Sequence, residues 1–313
     1  MAVDLDGARQ RIQQRVVGRE REIELALAAT AAGRDLVLEG PPGTSKTTIL
    51  RAITAEWGIP LLLVEGNGDL TPAKLIGHHD PARVLREDYR ADNFVPGPLV
   101  QAMSEGGFLY VEEVNRAPED VLNALLTAMA DRRIEVPRVG LVEAKATFRV
   151  VASMNPFDNV GTTRLSTSIG DRLNRIVVDY QDEESERRIV MLRAGLDPTG
   201  IARAGLDQEG GEQISADAVA VTRATRTHEL IRAPSSVRGA IDCAMIMIEL
   251  VGLRQLSGPA DPRYPETFYD AMLVSLSGRI RIDEAAEATA EQVLRQIWED
   301  RFVLHPAAYD GPS

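Results

Sequence analysis

The stretch LVLEGPPGTSKTTIL, from Leu36 to Leu50, constrains this chain more than any other. An apolar run stops at a glycine and two prolines, and a helical pattern follows Lys46 and two threonines. A tight turn with clustered backbone N–H groups, set against the positive end of a helix, suits a polyphosphate. Gly40, Pro41, Pro42, Gly43, Thr44 and Ser45 are therefore expected to form a cradle. Lys46 would reach the β- and γ-phosphates, Thr47 would give its hydroxyl to Mg²⁺, and Thr48 would complete the binding segment. The general Walker A pattern, G-x-x-x-x-G-K-[ST], asks for glycine where this chain has Ser45. An ordinary strand–turn–helix corner with an exposed lysine is the bland alternative; the flanking strand and helix favour the phosphate loop.

A triphosphate site also needs a carboxylate to hold the metal and another to polarise water. FLYVEEVN supplies both at the end of an apolar strand, with Glu112 at the metal position and Glu113 at the water-activating position. Glu112 is one methylene longer than the aspartate usual there. VVASMNP ends another strand at Asn155, whose amide can both donate to phosphate and accept from water. DLVLEG, IPLLLVEG, GGFLYVEEV, FRVVAS and RIVVDY read as five buried strands separated by helices, which predicts a parallel sheet covered on both sides. Residues 67–98 read as loop-rich, and RIEVPRVGLVEAKAT as a hairpin. After Tyr180 the pattern turns helical, around Glu183–Ala194, Ala216–Ile231, Ser236–Leu253, Thr267–Leu276 and Asp283–Phe302.

With 313 residues the chain is long enough for two packed domains. Its net charge of −12 opposes broad nonspecific nucleic-acid binding. One cysteine, Cys243, excludes an intrachain disulfide and is expected to be buried. His78 and His79 lack a third ligand nearby and are read as loop residues. The start is polar and mixed in charge, unlike a secretory signal. The longest apolar stretch, Ile241 to Leu253, carries Asp242 and Glu249 and falls short of the ~20 residues of a membrane span. A cytoplasmic protein is expected, with no membrane partner.

The order of phosphate loop, Glu-Glu strand, NRAPEDVLNALLTAM, SMNP and GTTRLSTSIGDRLNR resembles the MoxR group of AAA+ ATPases and is similar to the magnesium chelatase I subunit. VVGREREIELALAATAAGRDLVLEGPPGTSKT and FVPGPLVQAM also match, and that family often has a small residue other than glycine before the lysine, as Ser45 is here. The resemblance runs strongly from about Val17 to Val177. It implies an α/β fold, an AAA+ P-loop αβα sandwich with a parallel five-stranded sheet at 1–181, followed by an α-helical lid domain at 182–313. It also implies a helix-2 insert at about 80–95 and a pre-sensor hairpin at about 135–147. By the same resemblance Lys46 and Thr47 bind ATP and Mg²⁺, and Asn155 is the first sensor. Arg172 in GDRLNR is the finger that reaches a neighbour's γ-phosphate. Because Leu173 stands where the family usually has Phe, Arg164 and Arg175 remain rival fingers. Arg238 in RAPSSVRGA is the second sensor.

The resemblance implies an ATP-hydrolysing motor of chaperone-like type. It would assemble as a ring, a hexamer, and remodel or activate a protein client with a von Willebrand factor A domain partner. A motor subunit of a metal chelatase, a nucleotide-dependent switch with little hydrolysis, and a DNA-acting motor are the alternatives; the acidic charge weighs against the last.

Overall fold

The computed structural model describes residues 4–155, 167–196, 198–203 and 205–304. The chain divides into two compact units, Met1–Asp179 and Tyr180–Ser313.

Unit 1 is organised by period-two burial. Strands β1 (Asp35–Glu39), β2 (Leu61–Glu65), β3 (Phe108–Glu112), β4 (Arg149–Met154) and β5 (Leu173–Val177) form one sheet in the order β2-β3-β4-β1-β5. Every neighbouring pair is parallel. Alternate residues feed two cores, which is why the strands read as continuous apolar runs. Val37, Leu109, Val111, Val150 and Ala152 pack on one face against α4 (Pro98–Glu105) and α5 (Glu119–Asp131). Leu36, Leu38, Phe108, Tyr110 and Val151 pack on the other against α1 (Leu5–Gln13), α2 (Glu20–Ala31) and α3 (Lys46–Trp57). This is the expected αβα sandwich. The strand bounds differ slightly from those read in the sequence: β4 runs one residue later, and β5 begins at Leu173 rather than Arg175.

Residues 67–98 are more ordered than expected. Helices Pro72–Ile76 and Pro81–Glu87 each open with proline at the first position. The Thr71 side chain accepts from the Lys74 N–H, and Asp80 accepts from Ala82 and Arg83. His78 and His79 lie in a strand, Gly77–His79, paired antiparallel with Phe94–Pro96, not in a loop. These elements are too short for any period to register. Further on, Arg133–Val136 pairs antiparallel with Gly140–Glu143.

Unit 2 contains α6 (Glu183–Arg193), α7 (Gln208–Thr227), α8 (Val237–Arg254), α9 (Tyr264–Leu276) and α10 (Ala290–Glu299). Three helices differ from the sequence expectation, α9 by starting at Tyr264, three residues before Thr267. α7 starts eight residues before Ala216 because Asp207 caps it, accepting from Gly210, and because Gly211 lets Ile201 pack against its first turns. It stops at Thr227, and Ile231–Ala233 pairs as a strand with Arg281–Ile282. α10 starts at Ala290, not Asp283, because Thr289 and Gln292 form a capping box. Tyr264, Phe268, Trp298 and Phe302 fill the core, and the Trp298 indole donates to the Pro265 carbonyl at 2.7 Å. Cys243 is buried among them, and burial pushes its thiol up to about 12. Among the described residues no helix is long and apolar enough to cross a membrane.

A fully buried carboxylate sits inside this helical core. Asp217 is 0% exposed and accepts from the Arg301 guanidinium at 2.8 and 3.1 Å and from the Tyr264 hydroxyl at 3.0 Å. Burial raises its carboxyl, and Arg301 opposes that rise. Breaking a buried pair strands the remaining charge, so Arg301→Ala should cost about 3–5 kcal/mol near neutral pH. A carboxyl held above its unfolded value weakens the fold as pH rises through the window between the two values, and losing Arg301 raises Asp217 further. Denaturant unfolding should therefore show an Arg301→Ala deficit that grows with pH and shrinks toward the acid carboxylate range.

Candidate functional site

Because the five strands are parallel, their carboxyl ends share one edge, and the turn after β1 lies there. Gly40 permits the close approach of β1 to the end of β5: a Cβ on it would meet the Val178 carbonyl oxygen at 2.0 Å. The Gly40 N–H donates to the Met154 carbonyl at 3.1 Å, tying the turn to the end of β4. Gly43 has φ +76, and Ser45 lies in the left-handed region at φ 67, ψ 16. That backbone explains why the general pattern prefers glycine at this position. The Lys46 ammonium folds back over the turn, donating to the carbonyls of Gly40 at 2.8 Å and Pro41 at 2.6 Å, and to the Thr44 hydroxyl at 3.3 Å. Pro41 is buried, whereas Pro42 and Thr48 are exposed. The first N–H groups of α3 point past the helix start, as helix geometry requires.

Thr47, the second residue of α3, donates its hydroxyl to Glu112 Oε1 at 2.7 Å. Two oxygen ligands side by side at the base of the turn fit a hard cation such as Mg²⁺. Among the described residues no group of three or more His, Cys, Asp or Glu side chains could hold a metal by itself. Tyr110, two residues before Glu112 and so on the same face of β3, was not singled out in the sequence. Burial raises its phenol, while hydrogen bonding with Ser153 and Thr47 lowers it. The period of two from Glu112 was the available signal. Glu113 has a left-handed backbone, φ 50, ψ 46, and its carboxylate pairs with Arg116 at 2.8 Å. Gly66 makes that bend possible: its N–H donates to the Glu112 carbonyl at 2.7 Å, and a Cβ on it would meet the Glu113 carbonyl oxygen at 2.4 Å. Glu39 registers with Met154 across β1 and β4, so Asn155 follows at the same edge as the turn. The turn, Lys46, Thr47, Glu112, Glu113 and Asn155 are thus brought to one edge of the sheet.

The arginines are placed differently. Leu173 registers with Asp35, so Arg172 precedes the start of β5 at the opposite edge from the turn. Five strand residues separate the two levels, about 17 Å at ~3.3 Å each. Arg172 is exposed and donates to the Ser168 carbonyl at 3.0 Å. Arg175 lies along β5, and its Nε and Nη2 donate to the two carboxylate oxygens of Glu39. Arg164 lies outside the described residues. Arg238 is exposed in the first turn of α8, in unit 2; its carbonyl accepts from Arg279 at 3.2 Å.

Comparison with known proteins gives a consistent result. The family profile described as AAA domain (dynein-related subfamily) matches residues 35–173. Chaperone MoxR1 of Mycobacterium tuberculosis is 29% identical over 188 residues, 60% of this chain and 47% of that protein. The gas vesicle ATPase GvpN of Ancylobacter aquaticus is 25% identical over 282 residues, 84% of this chain and 72% of that protein. A crystal structure of a provisionally assigned ATPase from Cytophaga hutchinsonii shares the fold, with a TM-score of 0.51 and 21% identity over 94% of this chain and 92% of that one. The chain spans about half to just under two thirds of the length of the first curated relatives it matches. On this fold and these matches, residues 35–173 are similar to the AAA domain of the dynein-related subfamily, and the chain resembles AAA+ proteins of MoxR type.

Proposed function

We propose that this protein binds and hydrolyses ATP and uses the cycle to remodel or activate a protein client. The observation that carries this reading is the 2.7 Å contact between the Thr47 hydroxyl and Glu112, at the foot of a turn covered by the Lys46 ammonium. Magnesium bound there would neutralise charge on the β- and γ-phosphates. Lys46 leaves the turn's carbonyls for phosphate oxygens, which offer full negative charge in place of dipoles. Glu113 orients water in line, and Asn155 holds the γ-phosphate and that water together. Arg172 stabilises developing charge in a neighbouring protomer, because its place across the sheet keeps it from its own turn. Arg175 is the weaker candidate for that role, being engaged with Glu39. A ring, six-membered by resemblance, follows from a finger supplied in trans, and the second-sensor role of Arg238 comes from the resemblance alone. The MoxR relationship also points to a partner with a von Willebrand factor A domain.

A second reading, a nucleotide-dependent switch with little turnover, is favoured by the ion pair that occupies Glu113 and by Glu112 in place of aspartate. Phosphate release at high protein concentration separates the two: turnover abolished by Glu113→Gln supports the motor, and none in the unaltered protein supports the switch.

Lys46→Ala should abolish ATP binding measured by calorimetry. Glu113→Gln should retain binding and lose about 10²–10⁴ in turnover. Arg172→Ala should bind normally and lose about 10³–10⁵. Mixing Arg172→Ala protomers, whose turns are intact, with Lys46→Ala protomers, whose fingers are intact, should restore part of the activity; no recovery would exclude a trans role.

A further inference from the structure

Unit 2 begins at Tyr180, and its first residues are held by a buried guanidinium with four engagements. Arg226, near the end of α7, has a side chain only 11% exposed. Its Nη1 and Nη2 donate to the two carboxylate oxygens of Glu186 at 3.1 and 2.8 Å. Its Nε donates to the Ser235 carbonyl at 3.3 Å. Its flat face lies 4.0 Å from the centre of the Tyr180 ring. Arg223, one turn earlier, donates to the Gln181 carbonyl at 3.0 Å and to Glu186 at 3.3 Å. Glu186 is 3% exposed, so its carboxylate oxygens are met by these donors rather than by water.

The Ser235 contact gives the cluster a direction. The Ser235 N–H donates to the Thr225 hydroxyl at 3.1 Å, so this residue is fixed to the end of α7 from both its donor and its acceptor. Ser236 then caps α8, and Arg238 stands in the first turn. A Cβ on Gly239 would meet the Ser235 hydroxyl at 2.2 Å, so that turn sits directly on Ser235. Arg238 therefore stands three positions after Ser235, whose carbonyl is held by the same guanidinium that stacks on Tyr180.

We propose that Arg226 is a positioning residue that ties the entry segment of unit 2, Tyr180–Asp182, to the first turn of α8, so that Arg238 and the entry segment move as one body. The functional consequence rests on the reading that Arg238 meets the γ-phosphate. Engagement or release of the Arg238 guanidinium is then passed to the segment leading back to unit 1 through one side chain, without repacking the core around Phe268 and Trp298. Lysine cannot replace Arg226, because an ammonium lacks both the forked donors and the stacking face.

The test uses the full chain with Arg226→Gln, Arg226→Lys, Arg238→Ala and the Gln/Ala double variant. Amide exchange without nucleotide should rise about tenfold or more in peptides covering 180–186 and 232–240 together, with α9 and α10 unchanged, in Arg226→Gln and also in the charge-conserving Arg226→Lys. Exchange rising in one segment only, or uniformly through unit 2 as in a plain loss of stability, would overturn the tie. The preference for ATP over ADP should fall about tenfold in Arg226→Gln and in Arg238→Ala, with no further fall in the double variant. Loss in Arg238→Ala but not in either Arg226 variant overturns the tie and leaves the γ-phosphate reading standing. Coupled exchange with unchanged preference in Arg238→Ala upholds the tie and removes the role given to Arg238.

Discussion

The structure of unit 1 depends on covering both faces of a sheet whose strands all run one way. Once α1, α2 and α3 close one face and α4 and α5 the other, the central strands β1, β3 and β4 hold apolar side chains in their middles, and their charged groups collect at the ends. At the carboxyl ends the chain makes its turns, so Gly40, Gly66, Glu112 and Asn155 meet within one edge although more than a hundred residues separate the first from the last. The insertion of β4 beside β1 matters most. It opens the crossover point at which α/β sheets bind ligands, and it ties the turn after β1 to Met154 through one backbone hydrogen bond.

Local strain gathers at the same edge. Ser45 and Glu113 both take left-handed backbones that side chains disfavour, by roughly 1–2 kcal/mol each. In each case a neighbouring element fixes the bend: α3 begins directly after Ser45, and Gly66 closes on the backbone of Glu113. Such strain, held by surrounding structure, is characteristic of sites whose groups must be aimed before a ligand arrives. Unit 2 shows a different economy. Its charges, Asp217 and Glu186, are sunk between helices and satisfied by arginines from distant turns, which fixes how the helices sit against one another.

Much of the site could be read from the chain because its parts are local. The turn, the acidic pair and the Asn-Pro junction each announce a strand end within a few residues, and the apolar runs fix the sheet's class. What escaped was short or non-local. The pair Gly77–His79 with Phe94–Pro96 depends on two glycines allowing close backbone approach, a feature no period records. The start of α7 depended on one cap and a packed Ile201, and its glycines spoke against a helix. Arg116, which pairs with Glu113, and Tyr110, beside Thr47 and Glu112, carry no motif of their own.

The sequence by itself determined the five parallel strands, the glycine-proline turn after the first and the carboxylates at the end of the third, since hydrophobic period and turn chemistry act over a few residues. Only the tertiary structure decided the strand order, the engagement of Arg175 with Glu39, the position of Arg172 across the sheet from its own turn, and the cluster around Arg226. The reason is that register and side-chain pairing between remote segments are settled by packing, and a linear pattern holds no distance between them.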